Sequence, residues 1–233
     1  MKVVIRSYRF AREILDHHSF KQARRDIQSV LEGCPLFVWP KKSKNNSRLD
    51  VVQQLLNTYF DRRFAVDLGW EYHPLATGIK DSELKADFRK NYGDLKVQVE
   101  VQFGNMARWY SDIFKFQTAY SDRLINLAVC ILPMRELATR IDSNVAHFER
   151  AWKELPSAEL SITLPILMVG IAPSKDTRVI DVSQSKFERS KEVSNGPNKW
   201  RIINAALAGR PIESVGPESD TGLMPEGAVD EVE

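Results

Sequence analysis

Asp87, Glu100 and Gln102 are the side chains of this 233-residue chain whose types and spacing suit joint chemistry. They fall in Leu84 to Asn105, L-K-A-D-F-R-K-N-Y-G-D-L-K-V-Q-V-E-V-Q-F-G-N, which reads as two β-strands joined at a turn. The expected strands are Leu84 to Arg89 and Leu95 to Phe103, with Asn91-Tyr92-Gly93-Asp94 between them. Side chains two apart in a strand share a face, so Leu95, Val97, Val99, Val101 and Phe103 point one way and Lys96, Gln98, Glu100 and Gln102 the other. Folding the strands together brings Asp87 beside Glu100. Two carboxylates and an amide near one strand end are what a divalent cation and an activated water require. Taken alone, two charged residues in a hairpin are more often a solvated strand face. A competing acid-x-Lys, Asp94-Leu95-Lys96, sits at the turn rather than well inside the strand.

The elements around this hairpin read as a mixed α/β core. Phe10 to Leu15 and Phe20 to Leu31 have helical apolar spacing, with Ser19 an expected N-cap and Gly33 a stop. Pro35 to Trp39 is a short apolar strand, followed by the basic loop Lys41 to Ser47. A helix is expected over Leu49 to Phe60, extended chain over Trp70 to Pro74, a helix over Met106 to Tyr120 and a strand over Leu124 to Leu132. Arg135 to Arg140 reads as a short helix. Asp142-Ser143-Asn144 then looks like the cap of a helix Val145 to Leu155, and Ile162 to Ile171 is another apolar strand. The Lys- and Arg-rich stretch 175–201, with a turn at Asn195-Gly196-Pro197, reads equally as a nucleic-acid wrap or an exposed excursion.

Composition narrows the class. The length allows one substantial core, expected over 1–210, and the 43% hydrophobic content is that of an ordinary globular protein. No apolar run is long enough for a membrane span and the start carries no signal-peptide core, so a cytoplasmic protein is expected. Cys34 and Cys130 lie in apolar runs without C-x-x-C spacing and read as buried free thiols. None of the four histidines adjoins a nucleophile motif, which argues against Ser or Cys hydrolysis. Beyond Arg210 there are seven acids and no Lys or Arg. The rest of the chain is thus at about +9, a balance that suits a polyanion. Residues 211–233, acidic and poor in large apolar side chains, are expected to be a disordered tail.

An acid, a hairpin and then acid-x-Lys is the pattern of the PD-(D/E)xK nucleases, and here Gln102 replaces the lysine. Asp87-Phe88 followed by Val99-Glu100-Val101-Gln102-Phe103-x-Asn105 resembles the BglII and BstYI group of type II restriction endonucleases, which use Gln at that place. Glu13-Ile14-Leu15, Cys34 to Val38, Phe148 to Ala151 and Leu164 to Gly170 fall in the same order as in that group, so the likeness covers about residues 10 to 175. It implies a restriction-endonuclease-like α/β fold with a central mixed sheet flanked by helices. It further implies Mg²⁺ held by Asp87, Glu100 and the main-chain carbonyl of Val101, with Gln102 holding the attacking water through its amide. By the same resemblance Gly104 and Asn105, and a second loop at Ser143 and Asn144, reach DNA bases. A homodimer cutting double-stranded DNA at a short palindrome, with a GATC-like core as in that group, is the implied function. Two alternatives remain open at the level of sequence: a repair or junction nuclease of the same superfold, and a non-catalytic DNA-binding module.

Overall fold

Hydrophobic alternation dictates a sheet, and the sheet is what positions everything else. The structure, a computed structural model, describes residues 1–159 and 161–228. Six strands form one mixed sheet: β1 (Lys2–Tyr8), β3 (Glu71–Tyr72), β4 (Phe88–Tyr92), β5 (Leu95–Val101), β6 (Leu127–Pro133) and β7 (Ile166–Ala172). Their spatial order is β1-β7-β6-β5-β4-β3. β5, β6 and β7 run parallel, while β1, β4 and β3 are antiparallel to their neighbours. A separate parallel pair joins β2 (Leu36–Val38) to β8 (Val179–Asp181).

The helices follow the apolar spacing of the sequence with shifted ends. They are α1 (Ala11–Leu15), α2 (Lys21–Glu32), α3 (Gln53–Asp61), α4 (Met106–Ser121), α5 (Arg135–Ile141), α6 (Phe148–Glu154) and α7 (Gly196–Leu207). Two apolar layers sandwich the sheet. One face packs Val97, Val99, Leu127, Val129, Leu167 and Val169 against α2, α3 and α7. The opposite face packs Ala128, Cys130, Ile166 and Met168 against Trp109, Ile113 and Phe116 of α4 and Phe148 of α6. At about 25 cal/mol per Å² of apolar surface removed from water, these layers are the main stabilising contribution. Cys34 and Cys130 are buried and free, as their apolar surroundings require. Among the described residues no helix is long and apolar enough to cross a membrane.

Several expectations are corrected. The first strand of the hairpin begins at Phe88, not Leu84, and runs on to Tyr92, leaving Gly93 and Asp94 as a two-residue turn. Gly93 takes φ 61°, a left-handed conformation that costs glycine little. Ser19 caps nothing: a short 3-10 turn, His18–Phe20, precedes α2, and the His17 ring accepts from the Ser19 N–H instead. Asn195-Gly196-Pro197 is the start of α7 rather than a turn, because Pro in a first helical turn forfeits only an N–H that has no partner there. β1 was not expected as a strand, and it forms the sheet edge beside β7. The tail also differs from a disordered one as far as Ala228. Val215 and Ala228 are buried, and the Asn204 amide donates to the carbonyls of Thr221 and Leu223. Residues 229–233 of the expected tail lie outside the described residues.

Candidate active site

β4 and β5 register with Phe88 opposite Val99, which sets Asp87, one residue before β4, across from Glu100. Both therefore belong to the face that looks toward α4, and they are tied through the backbone: the Val101 N–H donates to Asp87 Oδ2 at 2.7 Å. The carboxylates sense each other. Glu100 is 1% exposed, and burial first, then the Asp87 charge, pushes its pKa well above the usual carboxylate range, against the lowering pull of Lys115.

α4 completes the cluster. Asp112 and Lys115, three apart on one side of that helix, are brought against β5, and Lys115 Nζ lies 2.8 Å from Asp112 Oδ1. The same ammonium donates to Glu100 Oε2. Burial works against the charge on Lys115, but Glu100, Asp87 and Asp112 outweigh it and hold the amine protonated, its pKa raised. Asp112 is itself raised, by burial above all. The Gln98 amide donates to Glu100 Oε1 at 2.8 Å.

Gln102 is drawn into this network. Its amide donates to Asp112 Oδ2, and its carbonyl accepts from the Gly104 N–H at 2.7 Å. The hydrogen bonds described thus brace it between α4 and the strand exit. A Cβ on Gly104 would sit 2.7 Å from Gln102 Oε1 and 2.8 Å from Arg108 Cδ, so both of those side chains would have to shift to admit one.

Over the cluster opens a cavity of about 450 Å³. Asp87, Val101, Gln102, Gly104, Asp112 and Lys115 line it, together with Asn57 of α3, Arg108 of α4 and Lys199 of α7. Glu100 does not reach its wall and lies behind Lys115. The α3 side is polar, and the Asn57 Oδ1 is buried without a hydrogen-bond partner. The competing Asp94-Leu95-Lys96 is far from this arrangement in character: Asp94 is exposed at the turn, and Lys96 Nζ donates to the Arg123 carbonyl.

Two loops share the rim. Asn105 caps α4, its side chain accepting from the Arg108 N–H at 3.1 Å, and its backbone forms a β-bridge with Val145. The Ala146 N–H donates to the Gly104 carbonyl at 2.8 Å. The exposed Ser143 and Asn144 are thereby carried beside Gly104 and Asn105. They cap no helix, contrary to expectation, since α6 starts at Phe148 with His147 as its cap; both bond instead to the Asp142 carboxylate.

Asp112 and Lys115 escaped the sequence reading. The available signal was their three-residue spacing on the helix after β5, together with the missing cation at position 102.

The family model described as restriction endonuclease BglII/BglIII matches residues 3–171. Among solved structures, BglII complexed with a DNA 16-mer is similar at 21% identity and TM-score 0.62, over 76% of this chain and 81% of that one. Free BglII is similar at 23% identity and TM-score 0.54, over 76% of this chain and 82% of that one. These two likenesses bear on the fold. No curated protein sequence matches.

Proposed function

The chain belongs to the BglII/BglIII restriction endonuclease family, whose members are type II site-specific DNA endonucleases, and from that premise we propose how its cavity cuts DNA. The reading is Mg²⁺-dependent hydrolysis of a phosphodiester in double-stranded DNA at a short palindrome, by a cytoplasmic homodimer, with a GATC-like core the first target to try. The observation that supports it best is the register of β4 and β5, which sets Asp87, on the wall of a polar cavity, opposite Glu100 on the same face of the sheet just behind that wall.

The donor set suits the ion. Mg²⁺ binds through one or two carboxylates and completes its octahedron with water and substrate phosphate oxygens. Asp87, Glu100 and the Val101 carbonyl would hold it. Among the described residues no group of three or more His, Cys, Asp and Glu is placed to hold a metal ion by itself. Bound there, the ion would lower the pKa of the attacking water and neutralise charge on the phosphate.

The chain's own residues do the rest. The Val101 N–H fixes the Asp87 carboxylate, and the Gln98 amide fixes that of Glu100. Gln102 holds Asp112 and Gly104 in place, so the strand exit keeps its position when DNA presses on it. Arg108 and Lys199 on the cavity wall suit backbone phosphates, which position a duplex without reading it. Gly104, Asn105, Ser143 and Asn144 on the rim read bases, and an Asn amide can pair bidentately with adenine in the major groove. A two-fold dimer would read both halves of a palindrome with the same residues.

Incubation of the purified protein with plasmid and Mg²⁺ tests the reading. Discrete linear fragments support it, and sequencing their termini gives the site. Preference for branched DNA would replace it with a repair or junction nuclease, and salt-sensitive binding without cutting with a DNA-binding module. Base reading by Asn105 is tested separately with Asn105→Ser, which keeps the helix cap. Affinity for the cognate duplex should fall about tenfold or more while non-specific affinity holds, as expected for loss of one bidentate base contact. Equal losses on both duplexes would leave Asn105 a cap only.

A further inference from the structure

Hydrolysis of a phosphodiester gathers negative charge on the phosphate, and the exit of β5 offers no cation to meet it because position 102 is Gln. We propose that Lys115 of α4 is the residue that carries positive charge to the scissile phosphate, replacing from a helix the lysine absent from the strand. The proposal rests on the nuclease reading of the cavity.

Three observations carry it. First, Lys115 lines the cavity while Glu100 lies behind it, so the ammonium is the cavity's face of this cluster. Second, an ammonium has three N–H donors. Glu100 Oε2 and Asp112 Oδ1 take one each, and the third remains for a group in the cavity. Third, the side chain is held: it is 12% exposed, and its partners are themselves braced by Gln98 and Gln102. A donor fixed before the substrate arrives need not reorganise during reaction, which is where such contacts gain their effect. The other cations of the wall lack this placement. Arg108 is exposed in the first turn of α4, and Lys199 reaches the wall from α7, on the far side of the sheet from α4.

The test is a cycle between the amine and the phosphate charge. Once the cut position is mapped, duplexes are made with the scissile phosphate intact or replaced by a neutral methylphosphonate, and binding is read by fluorescence anisotropy in Ca²⁺. Wild-type protein should lose about tenfold on neutralisation and Lys115→Met less than about threefold, the signature of two charges in contact. Identical losses in both proteins would overturn the proposal. In single-turnover cleavage with Mg²⁺, Lys115→Met should be slower by about 10²- to 10³-fold, with Lys115→Arg in between because it keeps the charge.

Should Lys115→Met fail to fold with its carboxylates unpaired, the double variant Lys115→Met/Asp112→Asn removes one of those charges and serves instead. A folded variant without the amine that cuts at the wild-type rate would also sink the proposal. Glu100→Ala in the same assay separates the two levels. If it cuts normally, the nuclease reading of the cavity has failed; if it is inactive while Lys115→Met cuts normally, only the role of Lys115 has.

Discussion

β5 and β6 are neighbours in one sheet, parallel and in register, yet they spend the same face differently. Opposite Gln98 and Glu100 of β5 stand Ala128 and Cys130 of β6. On β6 both faces are apolar and fully packed, so the strand is a pure contribution to stability. On β5 the face toward the apolar layers of α2, α3 and α7 is equally apolar, but the face toward α4 buries Gln98, Glu100 and Gln102. Burying those groups costs free energy that only the internal network of Gln98, Lys115, Asp112 and Gly104 offsets. One strand serves stability alone, and its neighbour carries the residues proposed to react.

The largest test of that contrast removes the reactive carboxylates. Asp87→Ala and Glu100→Ala should each slow cleavage at least about 10³-fold while the protein stays folded and still binds DNA in Ca²⁺. Retained cleavage in either would erase the distinction. The converse substitution acts on stability. Leu127→Ala, at a site with no exposure on β6, should lose about 2–5 kcal/mol in denaturant unfolding, with an unchanged single-turnover rate where the variant is folded.

A smaller effect sharpens the comparison through pH. Glu100 is raised well above 4.5 by burial and then by Asp87, so the folded chain holds that proton more firmly than the unfolded one. Its contribution to stability is complete at and below the ordinary glutamate range and is lost as pH rises through the folded value. Without divalent ions, wild-type melting temperature should therefore fall relative to Glu100→Gln as pH rises above the ordinary glutamate range. Parallel curves would mean that the carboxyl is not held protonated by its surroundings.

The apolar half of this contrast was legible in the sequence. Alternation over Leu95 to Phe103 and the apolar run Leu124 to Leu132, ended by Pro133, place two central strands. The pairing of Asp87 with Glu100 was legible too, from parity across a hairpin. What α4 adds was not: its apolar spacing defines a helix, but only tertiary packing shows that Asp112 and Lys115 turn inward onto β5. Gln102 shows the same limit. Its amide also bonds a carboxylate, Asp112, that sits on another element and that the strand's own pattern does not announce. α7 was hidden because Asn-Gly-Pro punctuates a turn and a helix start alike, and the packing of residues 211–228 because lone apolar residues such as Val215 set up no period.

The two backbone links between Gly104–Asn105 and Val145–Ala146 carry a mechanical consequence. If the loop bearing Ser143 and Asn144 reads bases as proposed, it cannot shift to accommodate a wrong one without pulling on the end of the strand that carries Glu100. A near-match site would then be penalised by misalignment at the reacting phosphate as well as by weaker grip, so fidelity should register in turnover more steeply than in affinity.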